Sequence, residues 1–122
     1  MKADFSSSQD IIFVLTNLIE YHPLRMEAYY SSLKTLGLLL INDQKYFTTP
    51  IDPEAELSKL ESADMEMCGA LLTMLLREDY WFENAFDERL KQGWPQKIVR
   101  RMIRLAQQKQ FTIQDSTAGK VL

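Results

Sequence analysis

The stretch from residue 64 to residue 79 constrains the fold more than any other part of this chain. Its apolar residues recur every three or four positions, which places them on one side of an α-helix. Because this apolar face is wide, the helix must be covered by neighbours on more than one side. Ser62 or Asp64 is expected to cap its N-terminus. The face consists of Met65, Cys68, Leu71, Leu72, Leu75 and Leu76.

Proline and glycine divide the rest of the chain into further helices. A first helix is expected to begin near Ser7 or Ser8 and to end near Tyr21 or His22, because the proline that follows disfavours helical geometry in the residue before it. A second helix is expected from Pro23 to Leu36, since proline suits the first helical turn and the glycine that follows suits a C-terminal cap. The remaining helices are expected over 53–60, 83–92 and 95–109.

These segments predict a single all-α domain, a bundle of about six helices that spans residues 1–122. A chain of this length can bury one core without disulfides. Residues 38–51 are ambiguous, and a short extended segment or hairpin is the alternative interpretation there. Residues 110–122 are expected to form a weakly ordered tail.

Composition argues against several classes of function. Cys68 is the only cysteine, so no internal disulfide can form, which is typical of a reducing cytoplasm. The only histidine, His22, is far from it in sequence, so a metal site is not expected. The glycines are isolated and form no phosphate-binding loop. No apolar stretch is long enough to span a bilayer. We therefore predict a cytoplasmic binding protein without cofactor, metal or membrane association, and we favour this interpretation over an enzyme.

Charge is divided unevenly along the chain. Residues 52–88 contain eleven acidic and two basic residues, whereas residues 89–109 contain seven basic residues and no acidic one. The formal net charge of −3 therefore hides two segments of opposite sign. This division favours charged partners, while the net charge gives no global attraction to nucleic acid.

The last predicted helix carries a basic stripe, which consists of Lys97, Arg100, Arg101 and Arg104. On a helix these four residues fall within an arc of about 100°, opposite a run of apolar side chains. Such a stripe is typical of a surface that binds phosphates or an acidic protein. The alternative is a solvated face that the acidic segment 78–88 of the same fold balances.

Three adjacent aromatic residues mark the break after the central helix: Tyr80, Trp81 and Phe82. They cannot all face the core, so at least one is expected to be an exposed anchor for a partner. Arg77 is expected to pair with Glu83 or Asp87 and to set the angle between the two helices. The alternative is a binding pocket built from Arg77, Trp81 and Glu83.

Residues 71–104 resemble a bacterial family of small uncharacterised helical proteins. Its members have an apolar helix, an arginine, an Arg-Phe pair and a glycine, then a short helix that ends in glycine and a basic final helix. Arg77 matches the family arginine, Tyr80 and Trp81 stand in place of the Arg-Phe pair, and Asn84 stands in place of the first glycine. If that glycine has left-handed geometry, asparagine is its natural substitute. If it instead lets the backbone approach a ligand closely, Asn84 departs from that role. The resemblance implies a helical fold and a bacterial cytoplasm, and it implies no activity.

Together these patterns predict a non-enzymatic module that binds a protein partner or a second copy of itself. Its contact surface is expected to combine the aromatic break with the basic stripe. The acidic face of residues 52–88 could complement the basic stripe of another copy in a homodimer. Two alternatives remain: nucleic-acid binding through helix 95–109, and a small-ligand or enzymatic pocket around Arg77.

Overall fold

The computed structural model describes residues 8–39 and 52–121, with side chains described for 9–39 and 52–108. In these residues the predicted all-α class is confirmed, and no strand occurs. The possible strand or hairpin at 38–51 lies almost wholly outside the described residues. The elements are α1 (Ser8–Tyr21), α2 (Met26–Leu36), α3 (Pro53–Leu57), a 3-10 turn (Leu60–Ser62), α4 (Met65–Trp81), α5 (Ala85–Gln92) and α6 (Trp94–Val121).

The second helix begins later than predicted. It starts at Met26, and the residues between α1 and α2 form a turn in which the Arg25 amide donates to the His22 carbonyl at 3.3 Å. Pro23 therefore lies in this turn, where its carbonyl accepts a hydrogen bond of 2.7 Å from the hydroxyl of Tyr29. Gly37 ends α2 in left-handed geometry, as expected.

The helix predicted over 53–60 is divided in two. Asp52 caps α3 by accepting from the amides of Glu54 and Ala55, but α3 stops at Leu57. The 3-10 turn follows. A tight turn here lets the chain reverse and enter α4.

The central helix is capped by Asp64, whose carboxylate accepts from the Met67 amide at 2.8 Å. It runs to Trp81, two residues further than predicted. The last helix is also longer than predicted and continues to Val121, where the sequence analysis expected a tail after 109. Residues 110–121 contain no proline, the residue that would remove a backbone hydrogen bond and break the helix.

The core is built around α4, which contacts α2, α3, α5 and α6, while α1 packs mainly on α6. The wide apolar face predicted for α4 is confirmed, because Leu71, Leu72 and Leu75 are fully buried.

Cys68 is also fully buried, and burial raises the pKa of its thiol to about 12. A neutral thiol in this environment acts as a small apolar side chain.

Gly69 allows α4 to lie close to the end of α2. A Cβ atom added at this position would be 2.7 Å from the carbonyl oxygen of Leu38. The other atoms within 4 Å of such a Cβ also belong to Leu38, at 3.1 and 3.5 Å. The absence of a side chain is therefore required by packing.

Candidate binding surfaces

The most exposed apolar feature of the described residues is the aromatic turn, which we define as Tyr80, Trp81 and Phe82. The exposed fractions of these residues are 81%, 73% and 68%. The rings of Tyr80 and Trp81 meet edge to face with centroids 5.0 Å apart. The sequence predicted at least one exposed aromatic anchor here, and the structure exposes all three.

The backbone after the aromatic turn has a well-defined geometry. Asn84 has φ 64° and ψ 17°, which is left-handed and is the only positive φ of a non-glycine residue in the described chain. The carboxylate of Asp79 accepts from the Phe86 amide at 3.0 Å, so the end of α4 caps the start of α5. Asn84 thus turns the chain between α4 and α5 in left-handed geometry.

A buried ion pair braces the same turn. Arg89 on α5 donates two hydrogen bonds to Glu78 on α4, at 3.0 Å from Nε and 2.9 Å from Nη2. Its Nη1 donates to Gln92 at 3.1 Å and reaches Glu54 of α3 at 3.5 Å. Hydrogen bonding to Glu78 raises the pKa of Arg89. A two-point guanidinium–carboxylate contact fixes relative orientation as well as distance, so it holds α4 and α5 at one angle.

The sequence pattern predicts that Arg77 braces this break through Glu83 or Asp87. The interhelical ion pair that the structure shows here is Arg89–Glu78. Arg77 lies on the exposed side of α4 and Glu83 is exposed in the turn. Arg77, Trp81 and Glu83 are thus all surface residues.

Carboxylates border the aromatic turn. We call Glu83, Asp87 and Glu88 the acidic rim. All three are exposed, and of the three only Glu88 forms an ion pair among the described side chains, with Lys91 at 3.5 Å. Leu24, from the turn between α1 and α2, is 68% exposed and shares a groove with Asp87 and Glu88. The segment from the aromatic turn to the first turn of α5 therefore exposes both aromatic side chains and carboxylates.

The predicted basic stripe lines a second surface, the basic groove. It has a volume of about 510 Å³ and is lined by Lys97, Arg100, Arg101, Arg104, Leu60 and Glu61. The apolar side of α6 faces the core as predicted, since Ile98, Val99 and Met102 are fully buried. The groove lies between α6 and the 3-10 turn. The sequence pattern predicts the basic side on α6 but not the opposite side, which Leu60 and Glu61 form.

Two of the four bases have a partner that orients them. Arg101 donates from Nε to the carbonyl of Ala63 at 3.0 Å, which fastens α6 to the segment before α4. Lys97 lies over the ring of Trp94, with Nζ 4.9 Å from the centroid. Arg100 and Arg104 are exposed and take part in none of the ion pairs of the described chain. The balancing of this stripe by the acidic segment 78–88 is therefore not made through direct ion pairs.

The two surfaces lie at opposite ends of α4. Arg101 is anchored to Ala63, beside the first residue of that helix, whereas the aromatic turn begins at its last residues. A rise of 1.5 Å per residue makes the distance from Met65 to Trp81 about 24 Å. The aromatic turn and the basic groove thus do not meet within one copy.

Sequence reasoning missed Arg89 and Leu24. Arg89 was counted among the bases of the charged segment, because its partners Glu78 and Glu54 are 11 and 35 residues away. Leu24 is in a turn whose closeness to α5 only the tertiary structure shows. No local pattern could have identified either contact.

Among residues 9–39 and 52–108, no group of three or more histidine, cysteine, aspartate or glutamate side chains could hold a metal ion. None of the described helices combines the length and hydrophobicity needed to cross a membrane. Comparison of the chain with protein-family models, curated protein sequences and solved structures gave no match.

Proposed function

We propose that this protein is a non-enzymatic binding module whose principal contact for a protein partner is the aromatic turn. The observation that carries the proposal is the exposure of three consecutive aromatic side chains, each by 68% or more. Large aromatic residues supply most of the binding free energy at many protein interfaces. A soluble domain gains nothing in stability from leaving them in water.

The bracing of the turn supports this role. Asn84, Asp79 and the Arg89–Glu78 pair hold the backbone on both sides of the aromatic residues. A preorganised surface loses little conformational entropy when a partner binds, so more of the contact energy contributes to affinity. The aromatic turn is thus apolar, and its backbone is held in place on both sides.

The exposed area indicates how much of an interface the turn could supply. With about 200 Å² for each aromatic side chain, the three together expose on the order of 450 Å². A standard interface buries about 800 Å² on each partner. The turn therefore acts as an anchor that requires further contacts around it.

Site-specific photo-crosslinking in cells tests the proposal. A photoreactive phenylalanine analogue replaces Trp81 in one variant and Phe13 in the other, which is 70% exposed on α1 and provides a matched control. We expect covalent protein adducts from position 81 and few from position 13. The adducts should disappear when Tyr80→Ser and Phe82→Ser are added to the position-81 variant. Equal adduct yields at the two positions, or adducts that survive these substitutions, would contradict the proposal.

A second candidate function is nucleic-acid binding, and the observation that favours it is the exposed pair Arg100 and Arg104 in the basic groove. Phosphate contacts of this kind weaken steeply as salt rises. Glu61 in the groove and the acidic rim at the other end of the molecule repel a polyanion, so we rank this function second.

An electrophoretic mobility shift assay with single-stranded and duplex oligonucleotides, at low and high salt, tests nucleic-acid binding. Loss of binding in Arg100→Glu would support it, and no shift at low salt would exclude it.

The family resemblance over residues 71–104 and a bacterial cytoplasmic location belong to the same proposal. The left-handed Asn84 supports the resemblance, because it supplies the geometry that a glycine provides at the corresponding position. Antibody detection after cell fractionation tests the location.

A further inference from the structure

The two surfaces of the molecule are complementary in charge. The basic groove contains four bases and the carboxylate of Glu61, a net charge of +3. The acidic rim contains three carboxylates with Lys91 beside them, a net charge of −2. The three carboxylates and the bases Lys97, Arg100 and Arg104 are exposed, Arg101 is half-buried, and the two sets lie at opposite ends of α4. Each copy therefore has a basic groove that could bind the acidic rim of a second copy, and an acidic rim that could bind the second copy's groove.

The aromatic turn fits the groove in chemistry as well. Arg100 and Arg104 have no stacking partner in the described chain, in contrast to Lys97, which lies over Trp94. A guanidinium binds the face of an aromatic ring and also donates hydrogen bonds from its edge to a carboxylate. A segment in which aromatic residues are followed at once by glutamate, as in Trp81-Phe82-Glu83, offers both groups together.

The area required for a stable dimer decides between two arrangements. A single contact between one turn and one groove would bury on the order of 450 Å² per copy, which is below the roughly 800 Å² per partner of a standard interface. If two copies lie antiparallel, each contributes its turn to the groove of the other, and the buried area doubles to about 900 Å² per copy. Two-fold dimers are also the commonest closed assembly.

We propose that the protein forms an antiparallel two-fold dimer in which the aromatic turn of each copy lies in the basic groove of the other. In this dimer Glu83 and Asp87 of one copy face Arg100 and Arg104 of the second. Trp81 and Phe82 lie against the guanidinium groups and Leu60. The inference rests on the proposed function in one respect, namely that the aromatic turn binds protein, and it names a second copy as the partner.

Charge reversal and its compensation test the dimer. The variant Arg100→Glu/Arg104→Glu reverses the groove, and Glu83→Lys/Asp87→Lys reverses the rim. None of these four residues is in an ion pair of the described chain. Arg101 is left unchanged because it holds Ala63. Lys34→Glu, an exposed base on α2, is the control. Circular dichroism checks that each variant is folded.

Light scattering after size-exclusion chromatography is the measurement, across a range of protein concentrations and at low and high salt. We expect the wild type and Lys34→Glu to be dimers that dissociate at high salt. Each double variant should be a monomer, and so should Trp81→Ser/Phe82→Ser. The variant that combines both reversals should recover the dimer, because both contacts then have opposite charges again.

Several results would overturn the proposal. A wild type that is monomeric at all concentrations has no such dimer, and assemblies larger than a dimer exclude a closed two-fold arrangement. A dimer that survives all three disruptive variants uses another surface. If the wild type is monomeric and a single-stranded oligonucleotide binds through Arg100 and Arg104, the groove is a phosphate site. If it is monomeric and position 81 still gives crosslinks to another protein, the dimer is refuted while the proposed function stands.

Discussion

Asn84 determines the direction in which the chain leaves the aromatic turn. Its left-handed backbone is accessible at low cost to glycine and asparagine and is strained for other residues. The sequence supported this assignment only through the resemblance, which aligned Asn84 with a glycine. The contact of Asp79 with the Phe86 amide then closes the turn. One backbone angle and one carboxylate thus position three aromatic side chains.

Substitution of Asn84 tests this geometry. Asn84→Gly should leave the free energy of unfolding within about 0.5 kcal/mol of the wild type, whereas Asn84→Ala should lower it by about 1 kcal/mol, since alanine is strained at positive φ. Urea denaturation followed by circular dichroism measures both. Equal stability of the alanine and glycine variants would show that the left-handed geometry is not required.

Arg89 shows where prediction from residues reaches its limit. Its helix and its charge were evident, but its role depends on Glu78 and Glu54 being brought to it by the fold. A side chain with a relative exposure of 10% cannot be distinguished in sequence from an exposed one, because both are surrounded by polar residues. The exposed members of the candidate site, by contrast, could be recognised because amphipathic spacing separates α6 into an apolar and a basic side.

At the scale of elements, the helices themselves were predictable and their ends less so. Apolar spacing and the capping residues Asp64, Gly37 and Gly93 located α2, α4, α5 and α6 correctly in outline. Errors occurred where tertiary contacts override local signals. Pro23 lies in a turn rather than in the first turn of α2, and its carbonyl accepts a hydrogen bond from the Tyr29 hydroxyl. The segment 53–60 is divided because the chain must reverse before α4.

The close approach of α2 and α4 leads to a prediction about Gly69. Alanine is favoured over glycine by about 1 kcal/mol within a helix, yet its Cβ would be 2.7 Å from the Leu38 carbonyl oxygen. A backbone oxygen cannot rotate away as a side chain can. We therefore expect Gly69→Ala to lower the free energy of unfolding by about 1–3 kcal/mol.

Thermal and urea denaturation measure this change, and Ser31→Ala, at an exposed position of α2, provides the control. The control should be neutral or slightly stabilising. A Gly69→Ala protein as stable as the wild type would mean that the two helices can separate at no cost.

At the scale of the whole molecule, the free energy of unfolding depends on pH because two ionisable side chains are buried in the core. Cys68 and Tyr29 are both fully buried, and burial raises the pKa of each to about 12 in the folded state, from 9.0 and 10.0 respectively. At a pH between the pKa of the group in the unfolded chain and its pKa in the folded protein, the unfolded chain has lost a proton that the folded protein still holds. Stability is therefore complete below pH 9 and decreases as pH rises toward 12.

The variant Cys68→Ala isolates the contribution of the thiol. By pH 10 the wild type should have lost about 1 kcal/mol of stability through Cys68 alone, because one pKa unit corresponds to 1.36 kcal/mol. The difference in stability between wild type and variant should thus be constant up to pH 8 and decrease between pH 9 and pH 10. Urea titrations across this range measure it, and parallel pH profiles would show that the thiol is not buried in solution.

The contacts that complete the two surfaces differ greatly in sequence separation, and this difference sets the order in which they can form. The aromatic turn is closed by contacts between residues 7 and 11 positions apart, Asp79 with Phe86 and Glu78 with Arg89. The groove requires the contact of Ala63 with Arg101, 38 positions apart. Local contacts form earlier than distant ones. During synthesis the residues whose contacts close the aromatic turn precede Arg101, so the chain can complete this turn before it can complete the groove.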